Sequence, residues 1–218
     1  MKFILFVEGH TEHKAVPAFL KRWLDSRLRQ PVAIKSVRFD GWAELVDDVS
    51  KKAHFYLNGS DHADVIAVIS LLDLYGPTIF PPHCHSADDR LRWGKDHLEG
   101  KVNHKRFRHF FAVHETEAWL LSDPNIFPRE IRDRMPRNSA TPEKVNFNSP
   151  PAKLLDSLYS QANQSSYKKV VYGKQLFAKL DPDIACQKCP ALQTLLNEML
   201  HLAESAGLAN PNQNNPQP

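Results

Sequence analysis

Cysteine is scarce in this chain, with three residues unevenly placed among 218. That is too few for a disulfide framework and agrees with a reducing compartment. No apolar run approaches the roughly 20 residues that a membrane span needs. The N-terminal apolar stretch is far too short for a secretory signal, and Glu8 interrupts it. A cytoplasmic location is therefore the default expectation. Internal repeats are lacking, and so is a complete paired zinc signature. Cys186-x-x-Cys189 has only Cys84, with its flanking His83 and His85, as a remote partner. Two half-buried thiols at a helix start are the expected arrangement.

What is present is the composition of an ordinary globular protein, 42% hydrophobic and 24% charged. The length suits one large domain, or a domain with an appended subdomain. A net charge of +3 is compatible with nucleic acid without requiring it. Its distribution is more informative. Arg90, Arg92, Lys95, Lys101, Lys105, Arg106 and Arg108 form a basic strip interleaved with Trp93 and Phe107. Such a strip can track a phosphate backbone and offer stacking surfaces, or it is simply a solvated face.

Along the chain, short apolar runs alternate with amphipathic stretches. Ile4 to Val7 reads as a buried strand. Residues 11 to 29 carry Val16, Phe19, Leu20, Trp23, Leu24 and Leu28 at helical spacing, with Pro17 expected to kink the helix or displace its regular part. Val32 to Phe39 reads as a second strand nearer an edge, and Trp42 to Leu57 as a second helix. The run from Asp64 to Leu72 is apolar almost throughout, as in a central parallel strand buried on both faces. A polar helix over about 87 to 99 follows a proline-rich loop, and Phe110 to Val113 is a fourth strand. The fold class expected is α/β, a three-layer domain over residues 1 to 123 with a mostly parallel four-stranded sheet.

Beyond residue 123 the pattern changes. Residues 124 to 151 read as an irregular connector, followed by helical segments near 151 to 160, 172 to 180 and 190 to 205. Residues 124 to 209 are thus expected to form a mostly helical extension packed on the α/β domain. The tail over 210 to 218 is too polar to bury anything and is expected to be disordered.

Three of the strands end in acids: Glu8 on the first, Asp73 on the third, and Glu115 with Glu117 on the fourth. In a parallel sheet these ends share one edge, where open α/β folds keep their ligand crevice. Carboxylates crowded together cannot all ionise without a cation. Oxygen-rich clusters suit Mg²⁺ or Mn²⁺, and such an ion can activate water and stabilise phosphoryl charge. If Glu115 and Glu117 both lie in a first helical turn they point roughly 200° apart, so only one faces inward. Glu115, nearer the strand end, is the favoured one, with Glu117 complementing the helix dipole.

The segments VEGHTE at 7 to 12 and LLDLYG at 71 to 76 resemble the Toprim superfamily, the α/β nucleotidyl-transferase and hydrolase domain of topoisomerases, bacterial primases and OLD-type nucleases. HETEAWLLSDP, PEKVNFNSPPAKLL, YKKVVYGK and the CP pair at 189 to 190 extend the likeness over almost the whole chain, to a bacterial Toprim-like family often encoded beside AAA-type ATPases in defence loci. The resemblance implies a metal-dependent nuclease acting on DNA or RNA with an ATPase partner. Its alternatives are a binding or regulatory subunit that keeps the fold with the chemistry absent or switched on by a partner, and a phosphoryl-transfer hydrolase acting on a nucleotide or other small molecule. It implies that Glu8 is the Toprim glutamate, a general acid or base or a metal ligand. Asp73 becomes the first acid of an Asp-x-Asp motif, whose second acid is replaced here by Tyr75. Glu115 and Glu117, with His114, are the candidates to supply the missing ligand. Among Lys153, Lys168, Lys169 and Lys174, which occur in the C-terminal motifs, Lys153 and Lys174 are preferred as cations facing a scissile phosphate. His10, adjoining Glu8, merits a test.

Overall fold

Alternation along the first strand decides which layer each side chain joins. In the computed structural model, which describes residues 1–60, 62–144, 150–162 and 166–211, strand β1 spans Lys2–Val7. Phe3, Leu5 and Val7 point into one apolar core, Ile4 and Phe6 into a second on the opposite face. All five are fully buried, each contributing about 1.5–3 kcal/mol of transfer free energy.

β1 leads through α1 (His10–Asp25) to β2 (Ala33–Arg38), and then through α2 (Trp42–Asn58) to β3 (Val65–Asp73). Helix α3 (Ala87–Val102) precedes β4 (Phe107–Ala112). The sheet order is β2-β1-β3-β4 with every pairing parallel. β3 is buried at all nine positions, as its continuous apolarity predicts for a strand with neighbours on both sides and helices on both faces. Because β2 lies on one side of β1 and β3 on the other, the winding reverses between β1 and β3. The crevice of a doubly wound sheet opens at that switch, beyond the carboxyl ends of these two strands.

The later helices are α4 (Glu117–Leu121), α5 (Arg129–Arg132), α6 (Pro151–Gln161), α7 (Lys169–Lys179), α8 (Pro182–Lys188) and α9 (Pro190–Ala203). Side chains from α1, α4 and α6–α9 share the core beneath Phe3, Leu5 and Val7, while α2 and α3 cover the other face. α7 lies against α1 at very short range: a β-carbon on Gly173 would stand 2.8 Å from Thr11 Cγ2.

Several elements differ from the sequence expectation for identifiable reasons. α1 runs unbroken through Pro17, which sits on its partly exposed side. α3 continues past 99 into the basic strip, and β4 begins at Phe107 rather than Phe110. α7 starts at Lys169, three residues before the expected 172. α8 has too few apolar positions to show a period, and its start is set by Asp181, whose carboxylate accepts from Asp183 N at 2.9 Å ahead of Pro182. Most of the polar tail and part of the PEKVNFNSPPAKLL motif lie outside the described residues.

The basic strip is divided by the fold. The Arg106 guanidinium donates to the carbonyls of Leu57, His62 and Val65, and Lys101 donates to Val46 O. Arg108 pairs with Glu198 at 2.6 Å. These three cations therefore tie elements together rather than forming a continuous phosphate track. On the outer edge of β4, the His109 amide donates to the Glu99 carboxylate at 3.0 Å, which occupies an edge donor that could otherwise recruit another strand.

Candidate metal centre

Glu8 follows the last residue of β1, and Asp73 closes β3 on the neighbouring strand. The Asp73 amide donates to Glu8 Oε1 at 3.1 Å, so the two strand-end acids are joined directly. α1 begins two residues after Glu8, placing Glu12 in its first turn, where the positive end of the helix dipole favours a carboxylate. The Glu12 side chain folds back over Gly9 so closely that a β-carbon there would lie 2.0 Å from Glu12 Oε2. Gly9 has ordinary extended backbone, so its missing side chain matters here for space and not for conformation.

The fourth strand delivers its acid through a turn. His114 takes a left-handed conformation (φ 65°), while its carbonyl accepts from Tyr75 N at 2.9 Å. The chain then brings Thr116 between two carboxylates: its amide donates to Asp73 Oδ1 at 3.0 Å and its hydroxyl to Glu12 Oε1 at 3.1 Å. Glu117 follows, fully buried at the start of α4. Ligand-type oxygens of Glu12, Asp73 and Glu117 all lie within 4.8 Å of one another, making this a triad that could hold a metal ion.

Lys169, the first residue of α7, reaches into the cluster. Its Nζ lies 3.1 Å from Glu117 Oε2, 3.3 Å from Glu12 Oε1 and 3.6 Å from Asp73 Oδ2. One ammonium thus pairs with three carboxylates, and its charge also acts on Glu8. Burial raises the Asp73 carboxyl well above the usual range, with the neighbouring acids adding to that and Lys169 opposing it. Burial likewise lifts Glu117 to about 7, against the pull of Lys169. Glu8 is raised too, mainly by burial, while the Asp73 amide works in the other direction. Lys169 itself is held above the ordinary lysine range by Asp73, Glu117 and Glu12, which outweigh its own desolvation.

This donor set fits a hard divalent cation. It is made of carboxylate oxygens, it carries more negative charge than Lys169 neutralises, and Glu117 Oε1 is buried without a hydrogen-bond partner among the described residues. Glu8, Gly9, His10, Asp73, Tyr75 and Lys169 are among the residues bordering a cavity of about 300 Å³ above the triad.

The remaining sequence candidates stand elsewhere. Glu115 is partly exposed, and its Oε2 accepts from Ala152 N at 2.8 Å, at the first turn of α6. It is therefore Glu117, and not Glu115, that points into the cluster. The ring of His114 is buried, with burial depressing its basicity, and it hydrogen-bonds the backbone of Glu143. Lys153 and Lys174 are exposed on α6 and α7, and among the described residues neither forms an ion pair with the cluster. Cys186 and Cys189 are buried free thiols, and among the described residues the one potential metal-holding group is the Glu12–Asp73–Glu117 triad.

Glu12 and Thr116 were not singled out by sequence reasoning, and Lys169 was considered without being preferred. One usable signal was present. Glu8 and Glu12 are four residues apart across a strand-to-helix junction, a spacing that returns the second carboxylate toward the first when the helix starts at once.

No helix among the described residues is long and apolar enough to cross a membrane. No curated protein matches the chain. Solved structures similar to it include the C-terminal region of the Burkholderia pseudomallei OLD protein, at 16% identity and a TM-score of 0.45, covering 94% of this chain and 98% of that one. The C-terminal region of the Xanthomonas campestris pv. campestris OLD protein is similar at 18% identity and a TM-score of 0.43, covering 94% and 96%. The model of the family described as a domain of unknown function, DUF4276, matches residues 7–200, and the chain belongs to that family.

Proposed function

We propose that this protein is a metal-dependent phosphodiesterase acting on DNA or RNA, with Mg²⁺ or Mn²⁺ as its ion and an AAA-type ATPase as its partner in defence. The observation that carries this reading is the convergence of Glu12, Asp73 and Glu117 on Lys169 at the switch crevice, with Glu8 joined to Asp73 beside them. The Toprim-like pattern of VEGHTE and LLDLYG supports it from the sequence side. Cytoplasmic residence accompanies the proposal.

Glu12, Asp73 and Glu117 would hold the ion, with Glu8 beside them. When bound, it would supply Lewis-acid chemistry, activating water and offsetting charge on the phosphoryl oxygens. Glu8, whose proton affinity is raised and which borders the cavity, is placed to take or return a proton there. Thr116 fixes Asp73 and Glu12 through its amide and hydroxyl, so both carboxylates keep one orientation. Lys169 is the cation available to a phosphate entering the cavity.

The test is Mn²⁺ calorimetry on the wild type and on Asp73→Ala and Glu8→Ala, beside a cleavage assay on single- and double-stranded DNA and RNA. Ion-dependent cleavage by the wild type, with metal binding lost in Asp73→Ala and turnover lost in both variants, is expected. Wild-type turnover in either variant would overturn the assignment.

A second reading has its own observation. The Lys169 ammonium stands among the carboxylates where a cation is wanted, and Tyr75 replaces the second acid of the motif. A non-catalytic or partner-activated subunit of an ATPase complex would be built this way. It predicts tight ATPase association with no ion-dependent turnover by the isolated chain.

A further inference from the structure

We propose that Tyr75 is a stacking platform for one unpaired nucleobase, which makes single-stranded nucleic acid or a frayed end the substrate class of the crevice. The proposal rests on the phosphodiesterase reading of the acidic centre and adds to it what holds the nucleic acid there. Among the described residues Tyr75 is one of four large hydrophobic side chains left exposed, at 40% of its surface, and it borders the same cavity as Glu8, Asp73 and Lys169. Met1, Phe55 and Val171, the other three, do not border it.

The ring is carried by a fixed backbone. Its amide donates to His114 O at 2.9 Å, next to the Leu74 N to Ala112 O bond that extends the β3–β4 pairing. Gly76 then turns the chain away with φ 121°, a conformation open to glycine and strained for other residues. Among the described residues no aromatic ring or cation packs on Tyr75. It is an aromatic side chain on a fixed backbone at the rim of a polar cavity, with 40% of its surface open.

Electrostatics explains why such a contact is needed. Phosphate binding ordinarily comes from lysine and arginine, yet the crevice presents several carboxylates against Lys169, and Lys101, Arg106 and Arg108 of the basic strip are consumed by the fold. Stacking is indifferent to that charge, and every base has a π-face to offer, at about five- to a hundredfold in binding per base. Within a duplex both faces of an internal base are covered by its neighbours, so the ring can engage only a base that is unpaired or terminal. A cavity of about 300 Å³ is at the small end of ligand sites and suits one nucleotide at a time.

The experiment is fluorescence anisotropy of fluorescein-labelled oligothymidylate, trimmed to the shortest length that wild type binds so that it has a single register, with Ca²⁺ replacing Mn²⁺ so that binding is read without turnover. The proteins are wild type, Tyr75→Ala and Tyr75→Phe; the probes are the intact strand, the strand with one abasic position moved along it, and a blunt duplex. The expected results are preference for the single strand, a five- to hundredfold loss in Tyr75→Ala, and retention in Tyr75→Phe. One abasic position should weaken wild type by the same factor and Tyr75→Ala no further. Equal binding by wild type and Tyr75→Ala, a flat abasic scan, or no binding by wild type would each overturn the proposal. Parallel Mn²⁺-dependent cleavage separates the two claims. Cleavage with a flat scan leaves the phosphodiesterase and removes the platform. A position-specific scan without cleavage leaves the platform and removes the phosphodiesterase.

Discussion

Gly173 on α7 faces Thr11 on α1 with no room for a side chain, since a β-carbon at Gly173 would meet Thr11 Cγ2 at 2.8 Å. Gly173 lies one turn after Lys169, on the same side of α7. The close approach of these helices is therefore what sets the reach of the Lys169 ammonium into the acids. In Gly173→Ala, overpacking costs about 1–3 kcal/mol, and the better helix propensity of alanine returns about 1 kcal/mol. The expected outcome is a melting temperature lower by a few degrees. Adding Thr11→Ser, which removes Cγ2, should recover most of the loss. A double variant no better than the single one would show that the contact is not the cause.

Lys169→Met removes the cation and keeps much of its packing volume. The carboxylates left behind repel one another in a buried site, and stability in chelator should fall by about 2–3 kcal/mol. That is less than for a fully buried pair, because the ammonium is about a third exposed. Mn²⁺ should then raise the melting temperature more in the variant than in the wild type, since it substitutes for the missing charge. Thermal scans in EDTA and in Mn²⁺ decide this. Equal ion responses in the two proteins would mean that the ammonium and the ion do not share a site.

Glu115 and Glu117 differ by two positions and are expected to behave oppositely. Glu115→Gln weakens a charge-assisted bond to the first turn of α6, costing about 0.5–1 kcal/mol, with Mn²⁺ binding unchanged. Glu117→Gln removes a buried charge, so stability in chelator should hold or rise while Mn²⁺ affinity drops at least about tenfold, roughly the loss of one ligand's 1.4 kcal/mol or more. Calorimetry and denaturation on both variants check the pair. Loss of Mn²⁺ binding in Glu115→Gln with retention in Glu117→Gln would reverse the assignment.

Glu8 and Asp73 were legible because each ends a strand whose phase is plain from composition, β3 above all, and the parallel order then brings them together. Glu12 depends on α1 starting immediately after Gly9, a detail that a periodic pattern with Pro17 inside it blurs. The choice between Glu115 and Glu117 turns on the left-handed conformation of His114, a non-glycine residue that carries no sequence mark for it. Lys169 looked like one lysine among several in YKKVVYGK, because its role comes from the register of a helix whose packing depends on Gly173. Strand ends are local consequences of hydrophobic pattern, whereas these other placements are tertiary.

His109 offers a test of the fold away from the acids. It is fully buried on β4, neither ring nitrogen has a hydrogen-bond partner among the described residues, and burial, assisted by Lys95, depresses its basicity to about 3. In the unfolded chain an ordinary histidine takes a proton near 6.5, so between about pH 6.5 and 3 the unfolded state binds more protons than the folded one. Stability contributed by this residue is therefore present above pH 6.5 and lost as the pH falls, by about 2 kcal/mol at pH 5. The raised carboxyls Glu8, Asp73 and Glu117 act in the opposite sense, which makes the wild-type profile alone ambiguous. Phenylalanine at 109 cannot titrate, and it leaves those carboxyls in place. The difference in unfolding free energy between His109→Phe and wild type, measured in urea at pH 7.5 and at pH 5, should shift by about 2 kcal/mol in favour of the variant at the lower pH. Because only the change with pH is read, any packing cost of the larger ring cancels, and a constant difference across the two conditions would show that the imidazole is not held neutral by the fold.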